Sequence, residues 1–182
     1  MDRQRYVLLD RDGVINHDSE HFIKSPDEWL PITGSLEAIA LLNRHGYKVA
    51  VITNQSGIAR GLLDSDTLQN IHAKMQRMVA EQGGSIDAIY SCPHGPNSDC
   101  NCRKPKPGLL EQFAQEKQID LKDTVFIGDS YRDIQAAQAA GATPILVKTG
   151  KGLKTLAHHP DLNIGIFDNL YDAARHLITR RP

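Results

Sequence analysis

Short hydrophobic runs alternate with amphipathic stretches along most of the chain. Six runs rich in Val, Ile and Leu, mostly without polar alternation, predict strands covered on both faces. They are residues 6–10, 47–53, 86–91, 124–128, 143–148 and 164–167. Apolar positions at spacings of three and four predict helices between them. These helices are 35–45, 66–81, 131–140 and one beginning near Leu109. The alternation predicts an α/β fold, a doubly wound Rossmann-like parallel sheet with helices on both faces.

Two carboxylates stand at the end of the first predicted strand. Asp10 and Asp12 are two residues apart, so they share a side if the extended geometry continues. Two negative charges so close together repel each other, which costs free energy. Binding of a hard cation, or of a phosphate group, would each explain why the pair is present. Gly13 then lets the chain turn away. Taken alone, the segment is also compatible with an ordinary surface turn rich in Asp and Gly.

Polar residues also follow other predicted strands. The second strand leads into residues 53–57, Thr-Asn-Gln-Ser-Gly, which can donate hydrogen bonds to phosphate oxygens. The fourth leads into Asp129, with Asp133 four residues later on the same face of a helix, a spacing that suits a cation or a simple helix cap. Lys104 lies in the proline-flanked stretch 103–108 and can neutralise a phosphoryl group, although such stretches are often solvated turns. Because carboxyl ends of parallel strands share one edge, these groups are expected to form one site.

All three cysteines fall within residues 92–102. Together with His94, the thiolates of Cys92, Cys100 and Cys102 make a complete tetrahedral ligand set for zinc. A closed set leaves no position for water, so we interpret the metal as structural, fixing the loop that ends at Arg103 and Lys104. The one-residue spacings are tighter than the common pattern, and a redox pair or unligated thiols stay open as alternatives.

Composition and net charge argue against nucleic-acid binding and against a membrane span. The 182 residues are 40% hydrophobic, which suits one domain over residues 1–182 with a sizeable core. A net charge of −1 does not suggest nucleic-acid binding, and no apolar run approaches the roughly 20 residues of a membrane span. The N-terminus lacks a signal-peptide cleavage pattern, so a cytoplasmic location is expected. A compact, nearly neutral domain is expected to be a monomer, and its expected partner is a small molecule.

The groups at the strand ends resemble the four motifs of the haloacid dehalogenase superfamily of phosphotransferases. In order, these are Asp10 with Asp12, Thr53, Lys104, and Asp129 with Asp133. The resemblance implies a phosphatase in which Asp10 is the nucleophile that forms an aspartyl-phosphate. Asp12 is then the general acid and base, and Thr53 and Lys104 bind the phosphoryl group. It also implies magnesium held by the Asp10 carboxylate, the Asp12 backbone carbonyl and Asp129, with Asp133 in support. Coordination would keep Asp10 ionised and leave Asp12 free to carry a proton.

The cysteine loop narrows the resemblance to a subgroup without a cap domain, in which short loops select the substrate. Residues 53–61 and 147–152 are similar to members that hydrolyse a heptose bisphosphate, whereas members that hydrolyse histidinol phosphate stay open. A non-catalytic sugar-phosphate-binding module is a third interpretation. Some relatives have Lys where this chain has Ser130, and Lys148 or Lys151 could replace the phosphate or sugar contact of that lysine. Arg60, Arg103 and Lys104 are candidates for a second phosphate or are ordinary surface charges. The expected substrate contacts are Asp18, Ser19, Glu20, His21, Thr53, Asn54, Gln55, Ser56, Arg60, Arg103 and Lys104.

Overall fold

The computed structural model describes residues 4–180. Six parallel strands form one sheet in the order β3-β2-β1-β4-β5-β6. The strands are β1 Arg5–Leu9, β2 Tyr47–Asn54, β3 Ala88–Cys92, β4 Val125–Gly128, β5 Thr143–Val147 and β6 Gly165–Phe167. The helices are α1 Ser35–Arg44, α2 Ser65–Glu81, α3 Gly108–Lys117, α4 Tyr131–Ala140, α5 Gly152–His158 and α6 Leu170–Thr179. Two short 3-10 helices cover Pro26–Glu28 and Leu121–Asp123.

The core lies in two layers, one on each face of the sheet. Along β1, Val7 and Leu9 pack into the layer that contains α1, α2 and α6, whereas Tyr6 and Leu8 pack into the layer with α3 and α4. The alternation of successive strand residues between faces explains why this strand is apolar throughout. The prediction of a doubly wound α/β fold is therefore confirmed.

The predicted elements agree with the structure to within two residues at each strand boundary, and the four predicted helices are present. Two helices, α5 and α6, were not predicted. The α6 signal is present in the sequence, because Asn169 caps the helix and Leu170, Ala173 and Ala174 are buried at helical spacing. The seven-residue α5 is too short to show a clear period.

The strand order places β1 between β2 and β4. Since all strands run the same way, the segments that follow these three neighbours leave the same edge of the sheet. This edge therefore brings together the segments that begin at Asp10, Gln55 and Asp129. None of the helices within residues 4–180 combines the length and apolar character needed to cross a membrane.

Candidate active site

Three carboxylates meet at this edge, and we call them the acidic cluster: Asp10, Asp129 and Asp133. They offer ligand oxygens that all lie within 4.8 Å of one another. Asp10 directly follows β1, and its backbone N–H donates to the Ile127 carbonyl of β4 at 2.9 Å. All three residues are buried. The sheet therefore imposes the proximity of these acids.

Two glycines make the space that Asp129 occupies. Gly13 and Gly150 both have positive φ, 84° and 57°, and a Cβ at either residue would collide with the Asp129 carboxylate. The Lys151 N–H donates to Asp129 Oδ2 at 2.8 Å, and the Thr155 hydroxyl donates to the Asp129 carbonyl at 2.9 Å. The segment after β5 therefore fixes this acid, a role that sequence reasoning missed.

Lys104 supplies a buried ammonium group to the site. It is 2% exposed, and its Nζ lies 3.0 Å from Asp10 Oδ1, 2.7 Å from Asp133 Oδ1 and 2.9 Å from the Ile52 carbonyl oxygen. Burial disfavours its charge, but the two carboxylates outweigh this effect and raise the pKa of Lys104. Lys104 therefore stays charged beside the predicted nucleophile.

The acidic cluster carries more negative charge than Lys104 can balance. Burial, and then the charge of Asp133, raise the pKa of Asp10 well above its usual value despite Lys104. Burial and Asp133 likewise raise the pKa of Asp129 to about 7. A hard cation with oxygen ligands would remove this conflict, so the residues fit the magnesium ion that the sequence predicts.

Asp133 has a different environment from its two neighbours. Its Oδ2 accepts hydrogen bonds from the backbone N–H groups of Asp129 and Ser130, at 3.1 and 3.2 Å, and from the Ser130 hydroxyl at 3.0 Å. Burial raises its pKa, but Lys104 and these donors lower it below the usual value overall. Asp133 thus positions Lys104 and the start of α4, and its supporting role at the magnesium site stays a prediction.

Asp12 lies beside the cluster with its own set of donors. Burial raises the pKa of Asp12, but the Arg11 guanidinium and hydrogen bonds from Asn16 and Gln55 outweigh it and lower the pKa overall. The protein groups alone therefore raise the pKa of Asp10 and lower that of Asp12, whereas the expected order, with Asp10 ionised and Asp12 protonated, depends on a coordinated cation. The cause is that Asp10 faces other carboxylates whereas Asp12 faces a cation.

The end of β2 supports Lys104. The Asn54 side chain accepts from the Lys104 N–H at 3.0 Å and donates to the Lys104 carbonyl at 3.1 Å. Thr53 is 1% exposed, and its hydroxyl accepts from Gln55 Nε2 at 3.0 Å. The Thr53 hydroxyl therefore lies beneath the cavity surface, where Gln55 links it to Asp12.

A cavity of about 400 Å³ opens above the acidic cluster. It brings together most of the predicted site residues: Asp10, Asp12, Asp18, Ser19, Glu20, Asn54, Gln55, Ser56, Arg60, Arg103, Lys104, Asp129 and Asp133. Thr53 and the exposed His21 do not line it. Of the two lysines expected to compensate for Ser130, Lys151 lines the cavity, whereas Lys148 pairs with Asp168 at 2.8 Å.

Arg132 is a lining residue that sequence reasoning missed. It lies within the last predicted motif, directly before Asp133 in α4, so its place in that motif was the available signal. Burial, and then the charges of Arg132 and Arg60, lower the pKa of Arg103. Three guanidinium groups therefore face the mouth of a cavity whose floor is acidic.

The cysteine loop forms a second cluster, which we call the thiol cluster: Cys92, His94, Cys100 and Cys102. The four candidate ligand atoms lie within 4.8 Å of one another. The Sγ atoms of Cys92 and Cys102 are 2.9 Å apart, too far for a disulfide. Hydrogen bonds from the Arg103 N–H and Ser98 outweigh a burial effect and lower the pKa of Cys100 to about 6, which favours the thiolate that a metal binds. The geometry and donor set fit a tetrahedral zinc ion.

Comparison with known proteins identifies the family. A family model described as HAD-hydrolase-like matches residues 101–173. The chain is 53% identical to the D-glycero-beta-D-manno-heptose-1,7-bisphosphate 7-phosphatase of Pseudomonas putida over 174 residues, covering 96% of this chain and 99% of that one.

The chain belongs to the haloacid dehalogenase (HAD) hydrolase family. The corresponding protein of Neisseria meningitidis, with the same name, is 47% identical over 178 residues, covering 96% of this chain and 95% of that one. A crystal structure of D,D-heptose 1,7-bisphosphate phosphatase from B. bronchiseptica, complexed with magnesium and phosphate, superimposes with a TM-score of 0.95 at 48% identity. That superposition covers 97% of this chain and 99% of the other. The predicted resemblance is confirmed, and the site residues described above belong to a HAD hydrolase.

Proposed function

We propose that this HAD hydrolase removes the 7-phosphate of D-glycero-D-manno-heptose 1,7-bisphosphate, in heptose synthesis for lipopolysaccharide. The observation that carries the proposal is the ion-paired group of Asp10, Lys104 and Asp133 at the strand ends. It occurs in a chain that matches phosphatases of this substrate over nearly their whole length. The relatives' names favour the β anomer.

The first chemical step transfers the phosphoryl group to Asp10. A carboxylate oxygen of Asp10 attacks phosphorus, the bond from phosphorus to the sugar oxygen breaks, and Asp12 donates its proton to that oxygen. The approach of a phosphate dianion raises the pKa of Asp12, which supplies the protonated form that the step needs. Lys104 offsets the repulsion between the carboxylate and the dianion.

The second step releases inorganic phosphate. Asp12, now a carboxylate, takes a proton from water, the resulting hydroxide attacks phosphorus, and the bond to Asp10 breaks. In the free protein the pKa of Asp12 is lowered, which favours the ionised form that can accept a proton. After this step Asp12 holds the proton taken from water, and Asp10 is a carboxylate again.

Magnesium would be held by the Asp10 and Asp129 carboxylates and the Asp12 backbone carbonyl, with Asp133 in support through Lys104. When bound, the ion supplies positive charge at the phosphoryl oxygens. The oxygen-only donor set and the raised pKa values of Asp10 and Asp129 support this assignment. Thr53 and Lys104 remain the proposed phosphoryl-binding residues, and Thr53, which is 1% exposed, would have to turn its hydroxyl towards the cavity.

The remaining phosphate at the sugar C1 needs cations outside the acidic floor. Arg60, Arg103 and Arg132 line the cavity and are the proposed cations for this phosphate. Arg60 lies over the Phe22 ring at 5.3 Å, and Arg103 donates to the His94 carbonyl at 3.1 Å. Neither guanidinium forms an ion pair with a carboxylate among the described residues, so both are available to bind an anion. Asp18, Ser19 and Glu20 would contact sugar hydroxyls, and His21 would do so only after a loop movement.

Zinc in the thiol cluster would hold the loop that presents Arg103 and Lys104. We further propose that residues 1–182 form one HAD domain without a cap, working as a cytoplasmic monomer. Its partner would be a small sugar phosphate, with no nucleic acid or membrane bound.

The deciding experiment compares kcat/KM for heptose 1,7-bisphosphate and histidinol phosphate with magnesium present. We expect a preference of at least about 100-fold for the heptose substrate, because only that substrate offers a second phosphate to the arginines. The opposite preference would assign the protein to histidine synthesis. Absence of phosphate release from both substrates and from an aryl phosphate would favour the non-catalytic binding module.

A further inference from the structure

A buried arginine lies between the two motif aspartates, and the mechanism above does not use it. Arg11 has no solvent exposure. Its Nε and one terminal nitrogen lie 3.0 and 2.9 Å from Asp12 Oδ1. The same terminal nitrogen donates to Gln55 Oε1 at 3.2 Å, and the other contacts His72 Nε2 at 3.2 Å.

His72 fixes the far side of this guanidinium. A guanidinium offers only donors, so Nε2 of His72 must accept, which requires a neutral imidazole with its proton on Nδ1. Burial and the charge of Arg11 lower the pKa of His72 to about 3, which agrees with that neutral state. His72 therefore holds Arg11 in place without adding charge.

The two oxygens of Asp12 differ as a result. Oδ1 faces the Arg11 guanidinium and also accepts from Asn16 Nδ2 at 2.8 Å. Among residues 4–180, Oδ2 accepts only from Gln55 Nε2, at 3.0 Å. Because the donors crowd Oδ1, the oxygen with spare capacity for a proton is Oδ2.

We propose that Arg11 and His72 are positioning residues that make Oδ2 of Asp12 the proton-transfer atom. Arg11 anchors Oδ1, and His72 fixes the guanidinium, so the carboxylate cannot exchange its two oxygens by rotating. The role rests on the proposed function only in that Asp12 is the acid and base for a phosphate monoester. If the His72 side chain only filled space, replacing it would not change the proton-transfer step.

Leaving groups of different basicity test this role. The substrates are 4-nitrophenyl phosphate, phenyl phosphate and glycerol phosphate, because the nitrophenolate leaves without a proton whereas an alkoxide needs one. For His72→Leu we expect kcat/KM to fall about 10-fold with glycerol phosphate and less than about 2-fold with 4-nitrophenyl phosphate. His72→Gln keeps an acceptor and should restore glycerol phosphate turnover to within about 3-fold of wild type.

The matched control is Gln76→Leu, an exposed position one turn further along α2. An equal loss for all three substrates would show a merely structural role and overturn the proposal, as would no loss for any of them. If His72→Leu does not fold, Arg11→Lys keeps the charge, loses the guanidinium geometry and should show the same dependence on the leaving group. A wild-type protein that hydrolyses this series but not the heptose bisphosphate refutes the proposed substrate alone. A wild-type protein that hydrolyses none of them overturns both.

Discussion

The acidic cluster and the thiol cluster are both candidate metal sites, and they are built in opposite ways. The acidic cluster joins residues from distant parts of the chain, positions 10 and 129–133, through the order of the sheet. Its side chains are buried, and their charges conflict before any ion binds. The thiol cluster lies within residues 92–102, and His94 is exposed. The fold therefore imposes the first site, whereas the second is formed within a single loop that we expect a zinc ion to hold in place.

Removing the nucleophile should have the largest effect on the acidic cluster. Asp10→Asn should lower the rate of magnesium-dependent phosphate release by at least about 10³-fold, because an amide cannot form the aspartyl-phosphate. Asp12→Asn should lower turnover while leaving substrate binding largely intact. Steady-state release and binding titrations check both variants, with the exposed Asp168→Asn as control. Substantial turnover by purified Asp10→Asn would refute the nucleophile assignment.

Removing the ammonium should unbalance the same cluster. Lys104→Met leaves Asp10 and Asp133 without their cation, so the free energy of unfolding should fall by about 3–5 kcal/mol. Turnover should fall about 10²-fold. Denaturant unfolding and kinetics measure the two effects, and Lys106→Met, an exposed lysine two residues away, is the matched control. Wild-type stability in Lys104→Met would contradict the proposed charge balance.

The charge conflict should also depend on pH. The pKa of Asp129 in the folded protein, about 7, lies above its unfolded value. Its proton therefore stabilises the metal-free fold at low pH, and that contribution is lost as pH rises through 7. At pH 8, metal-free Asp129→Asn should be more stable than wild type by about 2 kcal/mol, with the difference vanishing near pH 4.

Chemical denaturation in a chelating buffer at several pH values measures this difference. The exposed Asp161→Asn should show no such trend. A variant less stable than wild type at pH 8 would contradict the charge conflict. Magnesium should stabilise wild type more than Asp129→Asn.

Breaking the thiol cluster should have the smallest effect on chemistry. Wild-type protein purified without chelator should hold about one equivalent of zinc. The Cys100→Ser variant should lose most of this zinc. Its kcat should fall about 10-fold, because the loop that carries Arg103 and Lys104 is displaced. Elemental analysis and thiol titration measure this, with the exposed Asn97→Ala as control. Less than half an equivalent in wild type, with all three thiols reactive, would count against the site.

The sequence predicted the fold and indicated candidate members of both clusters, because the motifs that carry them are short and local. Strand ends carry the acids, and the thiol ligands lie within one loop. It could not predict the relative pKa values of Asp10 and Asp12, since these depend on Asp133 and Arg11 reaching them in space. The burial of Thr53, the contact of Lys151 with Asp129 and the position of Arg132 likewise depend on side-chain packing that no spacing encodes.

The central position of β1 has a consequence for how the molecule opens. Val7, Leu8 and Leu9 have no exposure and have a hydrogen-bonded strand on each side. Amide hydrogens there should exchange only when the whole molecule unfolds, whereas those of loops 16–22 and 92–103 should exchange through local openings. Mutations in these loops can then alter which molecules are accepted while the nucleophile keeps its rigid support.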